Sequence, residues 1–409
     1  MSRSSAGQST KGNRGAIIAL ASIPLIMTLG NSMLIPILPL LEKEIGISNL
    51  QSSYIITVYS IVAIICIPIA GYLSDRFGRK KVILPALILT AIGGLVAGWA
   101  SWKMDNPYGM ILLGRVLQGI GASGAMPIVI PLVGDIFTED EEASSALGMI
   151  ETSNTVGKVL SPILGSLLAG VIWFLPFMSI PAFSLIAILL VIFLVKSGSK
   201  DEEEPVKFPE YWQMIKDVFK EHSRWLVAVF IIGAILMFIL FGFLFYLSNI
   251  LEDKFNYDGV MKGFLLAVPL LALAIASFVA GKVIKDNLVV MKWMTFFGIV
   301  LSGVSVAFIS FMDHFISLLA IFLVCGIGIG ISLPCLDSLI TKSLEKSVRG
   351  IITSIYSAMR FIGVAAGPPV IAVLMKVHLL WIVSLLAFLA LVAGFLAFKN
   401  IQPDKKAKA

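Results

Sequence analysis

Residues 71–81 read G-Y-L-S-D-R-F-G-R-K-K and lie between two long apolar runs. A segment with this many charges is costly to place in hydrocarbon, so we expect a short loop at a membrane surface. Its four cations are Arg76, Arg79, Lys80 and Lys81. Because Lys and Arg accumulate in cytoplasmic loops, this loop is predicted to lie on the cytoplasmic side.

The composition is that of a membrane protein. Of the 409 residues, 58% are hydrophobic and only 14% are charged, whereas soluble domains carry about 25% charged residues. The mean hydropathy is +0.96. The net charge of +6 is spread over short loops and makes no folded basic patch. We therefore expect membrane lipid, and no nucleic acid, as a partner.

A transmembrane helix needs about 20 apolar residues. Runs of this length predict an all-α membrane protein with twelve transmembrane helices in two six-helix bundles. The longest polar stretch separates the first six runs from the last six. It predicts an N-terminal bundle over residues 1–195, a cytoplasmic linker over 196–225 and a C-terminal bundle with a basic tail over 226–409. The runs cover residues 16–41, 50–73, 82–102, 109–134, 143–172, 176–195, 226–251, 260–281, 290–311, 315–340, 350–375 and 379–398.

The distribution of positive charge predicts the orientation. Most of the 31 Lys and Arg residues fall in the connections that face the cytoplasm if the N-terminus is inside. The first run is longer than the 7–15 apolar residues of a signal peptide, so it is predicted to remain as the first transmembrane helix. We therefore expect a multi-pass protein of the cell membrane with both termini in the cytoplasm.

The linker contains two kinds of sequence. Residues 196–205 are rich in charge and are expected to be poorly ordered. Residues 209–222 alternate aromatic and charged side chains at helical spacing. Two interpretations of this second part stay open: an amphipathic helix lying on the inner membrane surface, and a plain linker helix.

The sequence contains no pattern for a metal, a cofactor or an enzyme. Cys66, Cys325 and Cys335 lie inside apolar runs at spacings that suit neither a metal site nor a disulfide framework. The three histidines form no cluster. There is no Walker loop for ATP and no recognisable nucleophile–base pair, so we do not expect catalysis.

The order of residues in the charged loop is more specific than its charge. The loop resembles the signature loop between helices 2 and 3 of the major facilitator superfamily. The resemblance implies a transporter that works by alternating access, with this loop as part of a cytoplasmic gate. In the family an acid at the end of helix 4 pairs with the loop, and Asp135 matches it, although residues 139–142 lack the basic residue that members often carry there. The matching loop positions are Gly71, Leu73, Asp75, Arg76, Gly78, Arg79 and Lys80.

The fourth run carries a full charge. A second motif of the family, linked to proton transfer in its members, is matched by Arg115, Gln118, Gly119 and Gly121. A charged side chain near the membrane centre costs about 2.5–3.5 kcal/mol, so Arg115 is expected to have a partner. Two interpretations stay open: a role of Arg115 in proton coupling, and an arginine that snorkels to the outer membrane surface.

The fifth run has a face of small residues. Gly157, Ser161 and Gly165 recur every four residues and predict a surface on which another helix packs closely. Together with Pro162 they resemble the antiporter motif of drug-exporting facilitators. Ser161 replaces the usual second glycine of that motif.

Beside this face lies a polar stripe. Glu151, Asn154 and Lys158 are spaced i, i+3 and i+7, so they share one side of the helix. Such a stripe is costly against lipid and is expected to line a central cavity. We interpret Glu151 as the proton carrier and Lys158 as its modulator or a substrate contact. The alternative is a structural ion pair inside the bundle.

Three further residues are predicted to line the substrate cavity: Asn31 in the first run, Gln118 in the fourth and Arg360 in the eleventh. The alternative role for Arg360 is that of a counter-ion to Asp337. The cavity candidates include more cations than acids, which does not favour organic cations as substrates. Neutral, zwitterionic and anionic lipophiles are equally favoured as substrates.

These features together predict a proton-coupled antiporter for multidrug efflux, which exports hydrophobic small molecules. Its expected partners are a small lipophilic substrate, protons and membrane lipid, and we expect a monomer. Alternatives are a dedicated exporter of one metabolite or siderophore, a lipid flippase, and a non-transporting receptor or scaffold on the same fold.

Overall fold

The computed structural model describes residues 4–137, 140–195, 208–284, 287–311, 314–344 and 346–401. In these ranges the regular structure is helical, with no strand. The α-helices are α1 Ser4–Ser32, α2 Leu38–Ile45, α3 Asn49–Phe77, α4 Arg79–Lys103, α5 Tyr108–Ile136, α6 Asp140–Val171, α7 Leu175–Leu194, α8 Phe208–Asp253, α9 Gly259–Ile284, α10 Leu288–Ala307, α11 Phe315–Ser343, α12 Lys346–Met375 and α13 Leu379–Asn400.

In the part of the chain that the structure describes, twelve helical segments are long and apolar enough to cross a membrane. The first of these spans combines α1 and α2, and each helix from α3 to α13 is a span of its own. Between α1 and α2 the chain forms a short 3-10 turn, Ile35–Ile37. Pro36 lies in this turn and Pro39 at the start of α2, where the missing N–H groups break the helical hydrogen-bond pattern. The prediction of an all-α protein with twelve transmembrane helices is confirmed.

The spans pack as two halves. In the first half, α1 packs on α6 and α7, and α5 packs on α3 and α4. In the second half, α8 packs on α12 and α13, and α11 packs on α9 and α10. The main contacts between the halves are made by two helix pairs, α3 with α12 and α6 with α9.

The chain between the halves differs from the predicted linker. Helix α8 begins at Phe208 and continues without a break to Asp253, a length of 46 residues. Residues 208–224 are therefore the first part of α8 and not a separate helix. Residues 196–207, which include the predicted poorly ordered segment, lie outside the described residues.

Because each span crosses the bundle once, the connections fall at two ends. We call the end that carries the α3–α4 junction the motif end, and the opposite end, with the α2–α3 and α8–α9 connections, the latch end. Large apolar side chains such as Phe193, Ile316 and Leu391 are exposed on the outside of the bundle. This apolar surface suits contact with lipid.

Candidate functional site

Arg115 on α5 is enclosed in a cage of neutral acceptors. Its side chain is 0% exposed. Nε donates a hydrogen bond to the Ile55 carbonyl at 2.7 Å, and Nη2 donates to Asn31 Oδ1 at 2.5 Å. Nη1 donates to Gln118 Oε1 at 2.5 Å. The guanidinium carbon lies 4.4 Å from the centre of the Tyr59 ring. Arg115 therefore connects α1, α3 and α5.

This cage decides between the two interpretations of Arg115. A fully enclosed guanidinium does not reach the membrane surface, so the snorkelling interpretation is wrong. Among the described residues no carboxylate pairs with Arg115, and its partners are carbonyl oxygens and the Tyr59 ring. Asn31 and Gln118 are buried and bind Arg115. Their contact with substrate, and the part of Arg115 in proton coupling, stay predictions.

Arg79 organises the signature loop at the motif end. Its Nη1 lies 2.7 Å from Asp75 Oδ1, and its Nε lies 2.9 Å from Asp135 Oδ2. Nη1 also donates to Ser74 Oγ at 3.0 Å. Arg79 thus joins the end of α3, the start of α4 and the end of α5. The pairing of Asp135 with the signature loop is present.

The neighbouring motif residues shape the α3–α4 junction. Gly78 is the one residue between the two helices, and its φ of +100° is a conformation that favours glycine. Lys80 Nζ donates to the carbonyls of Ile192 and Val195 at 3.1 and 2.5 Å. These carbonyls lie at the C-terminal end of α7, where a cation is favourable.

The other two motif residues lie on α3. Arg76 places its guanidinium carbon 5.4 Å from the centre of the Phe77 ring. Gly71 lies one helical turn before Asp75. All the signature residues therefore belong to the first half of the molecule.

The small face of α6 packs on α1. A Cβ added at Gly157 would lie 3.2 Å from the Leu25 carbonyl oxygen, and one at Gly165 would overlap the Met33 carbonyl. Ser161 Oγ donates to the Gly157 carbonyl at 2.6 Å, so its hydroxyl is satisfied within α6. The close approach of a second helix follows the four-residue spacing read from the sequence.

On another side of α6, Pro162 faces the second half. A Cβ added at Gly263 on α9 would lie 2.5 Å from the Pro162 carbonyl oxygen. The residues that resemble an antiporter motif thus contact α1 on one side and α9 on the other.

The polar stripe of α6 is held by α1. Asn154 Nδ2 donates to Glu151 Oε1 at 3.2 Å, and Thr28 Oγ1 donates to Asn154 Oδ1 at 2.6 Å. Asn154 is buried, whereas Glu151 is exposed. Lys158 forms no direct ion pair with Glu151, since a separation of seven residues is about 10 Å along a helix. The structural ion pair between these two residues is not formed.

The second half contributes a carboxylate and a guanidinium to the centre of the bundle. Arg360 Nη1 on α12 lies 3.3 Å from Asp337 Oδ1 on α11. The Arg360 guanidinium carbon lies 5.6 Å from the centre of the Tyr356 ring. The pairing of Arg360 with Asp337, which was the alternative to a cavity role, is therefore present, and contact of Arg360 with substrate stays a prediction.

These charges face one another across the two halves. Lys158 interacts electrostatically with Glu151 on its own helix and with Asp337 and Arg360 from the second half. Asp337 likewise interacts with Glu151 and Lys158. We call Glu151, Lys158, Asp337 and Arg360 the charged cluster. It gives the central region of the bundle both signs of charge, which suits a polar ligand site near the interface of two repeats.

Next to the charged cluster, Lys158 lines a narrow pocket. The pocket lies between α1, α6, α8 and α9, so both halves form its walls. Most of its lining is aliphatic or aromatic: Pro36, Pro162, Leu240, Phe241, Leu244 and Leu270.

A polar network closes the latch end. Glu252 Oε1 at the end of α8 lies 2.5 Å from Lys43 Nζ on α2, and its Oε2 lies 2.6 Å from Lys262 Nζ on α9. The side chains of Lys262 and Glu252 are 3% and 9% exposed. Beside them, Asn49 Nδ2 donates to Asn249 Oδ1 at 2.7 Å. We call these five residues the latch, and it joins the two halves.

The latch was not predicted from the sequence. The available signal was a set of charges at the ends of the first and seventh runs, and such charges are equally typical of ordinary loops. Lys43 and Glu252 are 209 positions apart. Their pairing depends on how the two halves meet.

No metal centre is found in the part of the chain that the structure describes. There, no group of three or more His, Cys, Asp or Glu side chains is arranged to hold a metal ion. Cys66, Cys325 and Cys335 are free thiols.

Comparisons with known proteins place this geometry in a family. The profile described as Major Facilitator Superfamily matches residues 20–368 and 292–409. The chain is 55% identical over 391 residues to the Bacillibactin exporter of Bacillus subtilis (strain 168), covering 95% of this chain and 97% of that protein. It is 26% identical over 376 residues to the class E tetracycline resistance protein of Escherichia coli, covering 88% of each.

Solved structures agree with the fold. A bacterial homologue of the human lysosomal transporter Spinster, in an inward-facing and unoccupied conformation, superposes with a TM-score of 0.76 at 14% identity. The superposition covers 95% of this chain and 97% of that chain. The resemblance of the signature loop is therefore matched by the whole chain, and this multi-pass membrane protein belongs to the Major Facilitator Superfamily.

Proposed function

We propose that this transporter exports a siderophore from the cell by alternating access, in exchange for protons. The observation that carries the proposal is the 55% identity to the Bacillibactin exporter, which extends over nearly the whole of both chains. The multidrug function expected from the sequence has weaker support, because the drug-resistance proteins found in the comparison are 22–28% identical.

The proposed orientation follows from charge. The cations at the motif end indicate that this end faces the cytoplasm, with both chain termini, and that the latch end faces outward. The latch then closes the outer end in this conformation. Glu151 is exposed, which supports access to the charged cluster from the cytoplasm.

The charged cluster is the proposed substrate region. It lies where the halves meet, so a bound substrate contacts both and its binding is sensitive to their relative movement. Glu151 is the proposed proton carrier, because it is an acid in this region whose partner is the amide of Asn154 and not a cation. Arg115, the second residue proposed for proton coupling, is held inside the first half by contacts with α1 and α3.

The function is tested in a Bacillus subtilis strain that lacks its own bacillibactin exporter. Expression of this chain is expected to return bacillibactin in the medium to the level of the parent strain, and to lower it in the cells. Mass spectrometry measures both. Medium levels that stay at those of the deletion strain, with the protein present in the membrane, would contradict the proposal.

A matched pair of variants ties the assay to the mechanism. Arg79→Ala removes two ion pairs at the motif end and is expected to abolish export at normal membrane levels. Arg224→Ala changes an exposed arginine near the start of the seventh span and is expected to leave export intact. Equal export by the two variants would reduce the signature loop to a determinant of orientation.

Multidrug export is the second candidate, and the resemblance of α6 to the antiporter motif favours it. It predicts that the expressed chain raises the concentrations of several unrelated drugs needed to stop growth. An unchanged drug panel in cells that export bacillibactin would exclude it.

A further inference from the structure

One member of the charged cluster has no direct partner. Asp337 pairs with Arg360 at 3.3 Å, and Glu151 accepts a hydrogen bond from Asn154. Lys158 forms no hydrogen bond or ion pair with any residue that the structure describes. Its interactions with the other three charges act at longer range.

The surroundings of Lys158 make this isolation costly. Lys158 lines a pocket whose other lining residues carry no charge and are mostly apolar. Lys158 is half-buried, and a partly desolvated ammonium without a direct counter-ion is expected to recruit an anion. A cationic ligand would meet repulsion from Lys158, and a neutral one would leave the ammonium unpaired.

The opposite wall of the pocket indicates the rest of the ligand. Leu240, Phe241 and Leu244 of α8, with Leu266 and Leu270 of α9, form an apolar surface on the second half. Lys158 comes from the first half. Ligand sites commonly combine such an apolar lining with a few polar groups that fix orientation.

We propose that this pocket, widened when the two halves move apart in the transport cycle, binds an amphiphilic organic anion, with its acidic group on Lys158 and its apolar body against α8 and α9. Such a ligand bridges the two halves, and Lys158 sets the preference for negative charge. The inference rests on the proposed function, since it assigns a chemical class to the exported substrate.

Two probes of equal shape test the charge preference. Naphthalene-2-carboxylate and naphthalene-2-carboxamide share an apolar body and differ in charge. Titration calorimetry on the purified protein in lipid nanodiscs is expected to show about tenfold tighter binding of the carboxylate, the magnitude of one charge-assisted hydrogen bond.

Variants assign this preference to Lys158. Lys158→Gln is expected to bring the two affinities to about the same value while the carboxamide affinity is kept, because only the charge-assisted contact is lost. Lys158→Arg is expected to keep the preference. Lys282→Gln is the matched control, since Lys282 is an exposed residue near the end of α9.

Two results would overturn the inference: equal affinities of the probes for the wild type, or a carboxylate preference that survives in Lys158→Gln. The wild-type comparison needs no variant, so it decides even if Lys158→Gln does not fold. Failure of bacillibactin export with an intact carboxylate preference would refute the siderophore proposal alone. Bacillibactin export without that preference would refute the anion pocket alone.

Discussion

Arg115 shows how a membrane-embedded charge is stabilised without an opposite charge. Each of its three nitrogens donates to a different neutral oxygen, and Tyr59 covers one face of the guanidinium. The planar fork of an arginine fits this cage, whereas the single ammonium of a lysine does not. The residue therefore acts as a rigid connection between three helices.

Arg115→Lys is expected to destabilise the protein nearly as much as Arg115→Ala. Both variants leave buried acceptors unpaired, and each unsatisfied group costs about 1–3 kcal/mol. Thermal unfolding of the detergent-purified protein measures the loss, with Arg76→Ala as the control because Arg76 is exposed. Wild-type stability of Arg115→Lys would show that the charge alone is needed, not the geometry.

Glu151 belongs to a polar stripe whose register is set by α1 through Thr28 and Asn154. If Glu151 carries the proton, Glu151→Gln imitates its protonated form. We expect this variant to lose accumulation driven by a pH gradient in proteoliposomes but to keep exchange of labelled for unlabelled substrate. Exchange needs binding and the movement of the halves but no net proton transfer.

The control for this experiment is Glu221→Gln, which changes an exposed acid at the start of α8. It is expected to keep both activities. Gradient-driven accumulation by Glu151→Gln at the wild-type rate would remove Glu151 from proton coupling.

Among the elements, α6 is constrained on two sides. It contacts α1 through small residues and α9 through the Pro162 carbonyl. Because the backbones approach closely, a larger side chain at the α1 contact must move a helix. The four-residue spacing of small residues therefore indicates close helix packing and does not by itself indicate a function.

Gly157→Leu and Gly170→Leu form a matched pair on α6. A Cβ at Gly157 would meet the backbone of α1, whereas one at Gly170 has no atom within 4 Å. We expect Gly157→Leu to lower the free energy of unfolding by about 1–3 kcal/mol through overpacking. Gly170→Leu is expected to leave it nearly unchanged. Yield of monodisperse protein and its unfolding temperature test this, and equal values for both variants would remove the argument for a special contact.

For the whole molecule, the latch is the clearest connection between the halves. Lys262 and Glu252 are almost fully enclosed, and Lys43 adds the contact from the first half. In a transporter that works by alternating access, this end must open in part of the cycle. The free energy of the latch contacts then sets the fraction of molecules that are closed at that end.

Glu252→Gln is expected to shift the population toward a conformation that is open at the latch end. The variant leaves Lys262 enclosed without its counter-ion in the closed state, whereas opening allows the ammonium to be hydrated. Spin labels on the exposed positions Glu44 and Val260 report the separation of the halves. We expect the ratio of long to short distances to rise about tenfold.

Lys103→Gln is the matched control, because Lys103 is exposed at the same end and contacts Trp102. It is expected to leave the distance distribution unchanged. An unchanged distribution in Glu252→Gln would show that helix packing, and not the latch, holds this end closed.

The sequence by itself determined the number of spans, their order and the small face of α6. Hydropathy over about 20 residues and a four-residue spacing are local properties of the sequence, so they do not depend on how the helices pack. The signature motif was equally readable as a sequence pattern, but the predicted loop over residues 71–81 is helical on both sides of Gly78. Asp75 at the end of α3 pairs with Arg79 at the start of α4 at 2.7 Å. The continuity of α8 from Phe208 was not predicted, because the charged residues in its first turns interrupt the hydropathy signal.

Only the tertiary structure decided what the embedded charges contact. Asn31 reaches Arg115 across 84 positions, and Lys43 reaches Glu252 across 209. The sequence places Lys158 on the same helix face as Glu151. The pocket that Lys158 lines, however, is completed by α8 and α9. A buried charge must satisfy its hydrogen bonds wherever the fold brings a donor or acceptor, and that choice depends on how helices from both halves pack, which no local pattern contains.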